Sequence, residues 1–258
     1  MRRKPMNTRQ IKTGSGWSRP ALLWSLLLVG AADMASALEF DHTHARFDRV
    51  LQTHVAEGRV DYKALKAAPG ELDAYLDGLA AVPGAQFKSW TEPRQIAFLA
   101  NLYNAATLKL IVDHYPVKSI KDIGSLFKGP WDQPVVRFRG ETITLNNLEH
   151  DILRKEYHEP RLHMALVCAA KGCPPLRSEA YVGDRLDEQL ADQSRTYLGS
   201  PLGLQIDRAK GEARISSIFK WYGGDFPSVP DFVAKHSGQN MDGLKIRYLD
   251  YDWSLNER

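Results

Sequence analysis

The chain has 258 residues, with 34 Lys and Arg against 31 Asp and Glu, a formal net charge of +3. The surplus is local: Arg2, Arg3, Lys4, Arg9, Lys12 and Arg19 face only Asp33 within residues 1–37. Taking those six bases and one acid away leaves 28 bases and 30 acids, a net of −2, which excludes the broad basic surface that nucleic-acid binding requires.

Residues 1–37 have the order of a secretory signal. A basic stretch is followed by an apolar run over residues 21–29, then by small residues ending in Ala35-Ser36-Ala37. Signal peptidases need small side chains at those alanine positions, because the cleaved backbone lies extended in a narrow groove. The run of about nine residues is far short of the ~20 of a membrane-spanning helix. The expectation is therefore a signal peptide over 1–37, a mature start at Leu38 and a single domain over 38–258, periplasmic or secreted. No stable membrane span remains after processing, and an uncleaved anchor is the competing reading. No Cys lies near the cleavage site to carry a lipid, and Arg2-Arg3 lies too far from the apolar run to argue for twin-arginine export.

Along the mature chain, Phe47, Val50, Leu51 and Val55 fall on one face of a helix predicted over residues 41–55, with Asp41 as N-cap. Gly58 ends it, and residues 60–62 read as a short extended piece. Leu72, Tyr75, Leu76 and Leu79 mark a second helix, stopped by Pro83-Gly84. A third helix runs from a Thr91 cap, with Pro93 in its first turn, to about Tyr115. It is apolar on nearly every side between Ile96 and Val112, which predicts a buried central helix. Asn101 and Asn104 interrupt it on one face; buried amides need partners, either a structural network or a substrate.

Residues 135–138 and 142–145 read as a hairpin turning at Arg139-Gly140. A short helix follows, carrying Glu149, His150 and Arg154. Residues 163–167 read as a buried strand entering a Gly- and Pro-containing loop, Cys168-Ala-Ala-Lys-Gly-Cys173-Pro174. Leu186, Leu190 and Tyr197 mark another amphipathic helix. A second hairpin is predicted around Lys210-Gly211, then a helical turn through Trp221, and residues 245–253 close the chain as a strand. Helices early and short strands late, without βαβ alternation, predict a single α+β domain with a small, mainly antiparallel sheet.

Both cysteines lie in that one loop, and four readings compete. An oxidising compartment and an even count suit a structural disulfide. A thiol nucleophile needs a base: His163 or His150, oriented by Glu149, with Asn101, Asn104 and Arg154 positioning substrate. Along a strand, His163 would stand ~16 Å from Cys168, so Cys173 would have to return to it. Thiol–disulfide exchange is the third reading, although the spacing is not C-x-x-C. A metal site from His163 and the cysteines is the fourth, although H-x4-C-x4-C is not a standard zinc spacing. Asp225, after Trp221-Tyr222, and Asp252, within Tyr251-Asp252-Trp253, read as satisfied carboxylates in packed aromatic clusters or as site walls. Arg154 has two options, a buried acid or an anionic ligand group.

These motifs resemble the DUF547 family of proteins of unknown function. The resemblance is carried by Asn101-Leu-Tyr103-Asn104-Ala105, by Leu148-Glu149-His150-Asp-Ile-Leu153-Arg154 and by the His163-to-Pro174 stretch. It continues in Trp221-Tyr222, Asp225-Phe226 and residues 251–256, so it spans from about Val60 to the C-terminus. It implies a bacterial exported member; the family brings no settled activity. A distant papain-like or transglutaminase-like fold is an analogy only. Those thiol enzymes place the nucleophilic Cys at the start of a central helix, and here that start is Trp90-Thr91-Glu92-Pro93. The functional expectation is a thiol-dependent hydrolase or acyl-transferase acting on a small-molecule or peptide ligand, without a cofactor. The alternatives are a non-catalytic binding or scaffold domain and a redox protein.

Overall fold

Helix α5 (Glu92–His114) is the axis of the domain: every residue from Ile96 to Leu108 is buried, as are Leu110, Ile111 and Val112. The computed structural model describes residues 40–125 and 127–258; the predicted signal segment lies outside them. By length and composition α5 is apolar enough to cross a membrane, but here its surface is packed inside the domain. Thr91 holds the N-cap position without a side-chain cap bond, and Pro93 occupies the first turn, where its missing N–H costs nothing.

Around α5 pack α1 (Ala45–His54), α2 (Tyr62–Ala67), α3 (Gly70–Ala80) and α4 (Gly84–Ser89). The first helix starts later than its sequence suggests. His44, in a left-handed conformation, is its N-cap, and Asp41 instead accepts from Ala45 N–H at 3.0 Å. Two-residue strands β1 (Val55–Ala56) and β2 (Arg59–Val60) form a minimal hairpin, and Tyr62 opens α2 rather than continuing the strand. The predicted hairpin is present as β3 (Pro134–Phe138) and β4 (Glu141–Thr144), with Arg139 and Gly140 both at positive φ, as a tight two-residue turn demands.

The next helix differs in kind. Asn147–Leu153 is π-helical, running on into the short α6 (Arg154–Glu156). The Arg154 N–H bonds back to Glu149 O, five residues earlier. π-helical turns are rare, and they cluster at functional sites.

Residues 163–167 do not form the predicted strand. Leu162–Ala165 is a single helical turn, α7, and the chain then runs extended without a sheet partner. Asn104 replaces the missing ladder: its amide donates to Ala165 O at 3.0 Å and accepts from Val167 N–H at 2.9 Å. An apolar run of four or five residues cannot by itself distinguish a strand from a buried turn.

The C-terminal part has α8 (Leu186–Leu198), a sheet of β5 (Leu204–Asp207), β6 (Glu212–Ile215) and β7 (Lys245–Tyr248), and helices α9 (Ile218–Trp221) and α10 (Val229–Ser237). β5 pairs with β6 antiparallel and β7 with β6 in parallel, because α9 and α10 lie in the crossover between them. The predicted closing strand thus ends at Tyr248, and residues 249–257 continue as a strap. The strap bridges Ala170 through Leu255 and Val60 through Glu257. The described chain is α+β, with helices around α5 and small, largely antiparallel sheets.

Two apolar clusters result. The larger surrounds α5; the smaller lies between α8, α10 and the three-stranded sheet and holds Met164, Tyr197, Ile215, Phe219 and Val233. α7 joins them: Leu162 and Ala165 belong to the first and Met164 to the second.

Candidate functional site

A cavity of about 290 Å³ opens where the two clusters meet. From the α5 side it is lined by Tyr103, Leu166 and Cys173, and from the sheet side by Ile218, Trp221, Tyr222 and Tyr251. Trp131, Asn146, Glu149, His150, His163, Cys168 and Trp253 complete it. Five of the expected site residues therefore meet in one place: Cys168, Cys173, His163, His150 and Glu149.

The helical turn of α7 and the left-handed Ala169 fold the Cys168 loop toward His163, so the two residues border one cavity despite their sequence separation. The loop is held from outside. Lys171 and Gly172 donate their N–H groups to Ser254 O and Asp252 O, each at 2.8 Å, and Ala169 O accepts from Asn256 N–H at 3.0 Å. Gly172 is required by this approach, because a Cβ there would meet Asp252 N at 2.8 Å. Tyr197 of α8 donates to Gly172 O at 2.8 Å and accepts from Ser216 Oγ at 2.7 Å. The two cysteines face each other at disulfide-bonding distance, their α-carbons 6.3 Å apart. Cys173 is buried and Cys168 is partly exposed to the cavity, with Tyr251 Oη 3.2 Å from its sulfur.

His163 is held by Asp225, not by Glu149. Its Nε2 lies 2.7 Å from Asp225 Oδ2. A carboxylate only accepts, so Nε2 carries the proton, and in the neutral ring the Nδ1 lone pair is left for the cavity. The ring stacks on Tyr222 with centroids 4.2 Å apart. Burial pushes its pKa below the usual histidine value, outweighing the pull of Asp225, so the ring is neutral at neutral pH. Asp225 is held in turn by Arg154, whose Nε and a terminal nitrogen donate to its two oxygens at 2.6 and 2.8 Å. Those bonds from Arg154, with His163 adding to them against partial burial, lower Asp225 to a pKa of about 2.

Arg154 also donates to His150 Nδ1 at 2.9 Å. Arg has no acceptor, so His150 must carry its proton on Nε2. Of the two options the sequence leaves for Arg154, the acid is the one occupied. Glu149 is buried and accepts from the Tyr103 hydroxyl at 2.9 Å. Burial, with the Glu149 charge adding to it, raises the Tyr222 hydroxyl well above its usual range.

Asn101 and Asn104 do not line the cavity. Asn101 is fully buried, donates to Tyr181 O at 2.8 Å and accepts from Tyr181 N–H at 3.0 Å. Asn104 spends its amide on the α7 exit described above, where it places the chain that leads into Cys168. Their positions on α5 are thus explained by order in two neighbouring loops. Among the described residues no group of three or more His, Cys, Asp or Glu side chains is arranged to hold a metal ion.

A family model described as "Protein of unknown function, DUF547" matches residues 87–198. The chain is a DUF547 domain-containing protein. The matched DUF547 span holds Tyr103, Glu149, His150, Arg154, His163 and both cysteines. Asp225 and the aromatic walls Trp221, Tyr222, Tyr251 and Trp253 lie beyond it. No curated protein and no solved structure matches the chain. The residues that sequence reasoning undervalued are Asp225 and the tryptophans. The Trp221-Tyr222 and Asp225-Phe226 motif was the available signal, but it carries no chemistry until folding brings it to His163.

Proposed function

We propose that the cavity is the site of an exported, thiol-dependent hydrolase or acyl-transferase. The observation that carries this reading is the sharing of one cavity by the accessible Cys168 sulfur and a neutral His163, oriented by Asp225 and Arg154. A histidine base oriented by an acid is the pairing that thiol and serine acyl-transfer sites use, here with the acid on Nε2 and Nδ1 left for the thiol. With the cysteine pair reduced by an external thiol, His163 Nδ1 takes the Cys168 proton and the thiolate attacks an acyl carbon. The leaving amine or alcohol receives that proton from His163, and a thioester remains on Cys168. Water, or a second nucleophile, then gives a proton to His163 and releases the acyl group. Asp225 stays ionised and stabilises the imidazolium at both steps.

A second reading is favoured by a specific observation: the cysteines lie at disulfide distance, one of them buried. In it the cystine is structural and the cavity only binds.

Thiol titration and alkylation separate the two. After mild reduction, the first reading expects Cys168 to react with iodoacetamide well below pH 8 and at least tenfold faster than in Asp225→Asn. A pair that resists reduction in the native protein, or an alkylation rate with the pH profile of a free thiol, would sink the catalytic reading and leave the binding one.

A further inference from the structure

The cavity walls have a chemistry of their own. Three tryptophans (Trp131, Trp221 and Trp253) and the tyrosines Tyr222 and Tyr251 surround it, and among the described residues no Lys or Arg lines it. Trp221 and Trp253 lie 5.8 Å apart with an interplanar angle of 29°, and Tyr251 sits within 4.9 Å of both ring centroids. Into this apolar enclosure projects one buried acid, Glu149, held by the Tyr103 hydroxyl.

The charge of Arg154 reaches Glu149 through space, but its hydrogen bonds go elsewhere. Arg154 is committed to Asp225 through two hydrogen bonds, and His163 is neutral at neutral pH. Among the described residues Glu149 forms no ion pair; its contacts are the hydroxyls of Tyr103 and Tyr222, so no cation touches this buried carboxylate. Electron-rich ring faces beside such a carboxylate are the arrangement that receives an organic cation. Two of these rings already carry a cation: Lys121 Nζ lies 3.6 Å from the centroid of Trp253, and the Arg154 guanidinium carbon lies 5.0 Å from that of Tyr222.

We infer that the cavity takes an alkylated ammonium head group, Glu149 supplying the countercharge and the aromatic walls replacing its water. The inference rests on the cavity being the site proposed above, but not on its sulfur chemistry. The volume, about 290 Å³, is at the lower end for ligand pockets, so it suits a small cation or the head of a longer molecule rather than a whole polymer segment. Glu149 also sets the specificity: a neutral ligand of the same shape would leave the carboxylate desolvated and unpaired.

The test is calorimetric titration of the oxidised, full-length protein with choline, with its neutral isostere 3,3-dimethylbutanol and with glucose. Choline is expected to bind saturably, at least tenfold more tightly than the alcohol, with no binding of glucose. Glu149→Gln is expected to remove that preference, and Trp221→Ala, at an exposed rim position, to weaken choline at least threefold. Trp221→Ala also keeps the inference testable if Glu149→Gln fails to fold. Absence of choline binding, equal binding of the alcohol, binding of glucose in its place, or an unchanged preference in Glu149→Gln would each overturn the inference. The oxidised protein has no free thiol from this pair, so the titration reads binding alone. Its failure leaves the thiol reading standing, and failure of the alkylation test leaves a positive titration standing.

Discussion

At Asp225 one carboxylate serves two side chains. It fixes the proton of His163 on Nε2 and neutralises Arg154, which in turn orients His150. Replacing it by Asn keeps the shape but leaves Arg154 without its charge partner. Asp225→Asn is expected to cost about 1–3 kcal/mol, measured by chemical denaturation, because charge-assisted bonds are lost from a partly buried group. A different residue contributes to the response to acid. His44 is buried, its Nδ1 lies 2.7 Å from the Tyr75 hydroxyl, and burial lowers its pKa to about 4. The unfolded chain therefore takes up this proton more readily than the folded one. The contribution of His44 to stability is complete above its ordinary value of about 6.5 and is lost as pH falls toward about 4. His44→Asn, which tolerates the left-handed backbone, is expected to flatten the fall in melting temperature across that window. An unchanged pH dependence would place the acid response elsewhere.

At the scale of elements, α5 acts through two amides. Asn101 and Asn104 each pair with the backbone of a loop that lacks its own regular bonding. Asn104→Ala leaves a buried carbonyl and a buried N–H unpaired and is expected to cost about 2–4 kcal/mol, with a loss of Cys168 alkylation selectivity as the α7 exit loosens. Helix α5 was legible in the sequence because its apolar run is long, capped and closed by Pro116. So were the β3–β4 hairpin, whose turn chemistry is local, and the need of both asparagines for partners. The α7 turn was not legible, because its shape depends on Asn104, about sixty residues earlier. Of the site, the residue types with inherent reactivity were legible: Cys168, Cys173, His163, His150 and Glu149. The role of Asp225 was hidden, because His163 meets it only across α7 and the turn after α9, 62 positions along the chain.

At the scale of the molecule, the cavity lies on the seam between two apolar clusters rather than inside either. The cysteine pair closes a very short loop, so the disulfide adds little to global stability. The double replacement Cys168→Ser with Cys173→Ser is expected to lower unfolding free energy by only roughly 2 kcal/mol. Equilibrium denaturation checks this; a much larger loss would mean that the pair clamps the seam itself.

The strap over residues 249–257 also dictates an order of events. It brings Tyr251 and Trp253 to the cavity, ties down the cysteine loop and reaches back to Tyr62, whose hydroxyl donates to Asn256 Oδ1 at 2.8 Å across 194 positions. Contacts that distant carry a large loop-closure cost and form after local structure has condensed. The helical core around α5 can thus assemble with the cavity still open on the strap side. During that interval the cysteine loop lacks its three backbone bonds to residues 252–256, and docking of the strap then supplies them and brings Tyr251 to the Cys168 sulfur.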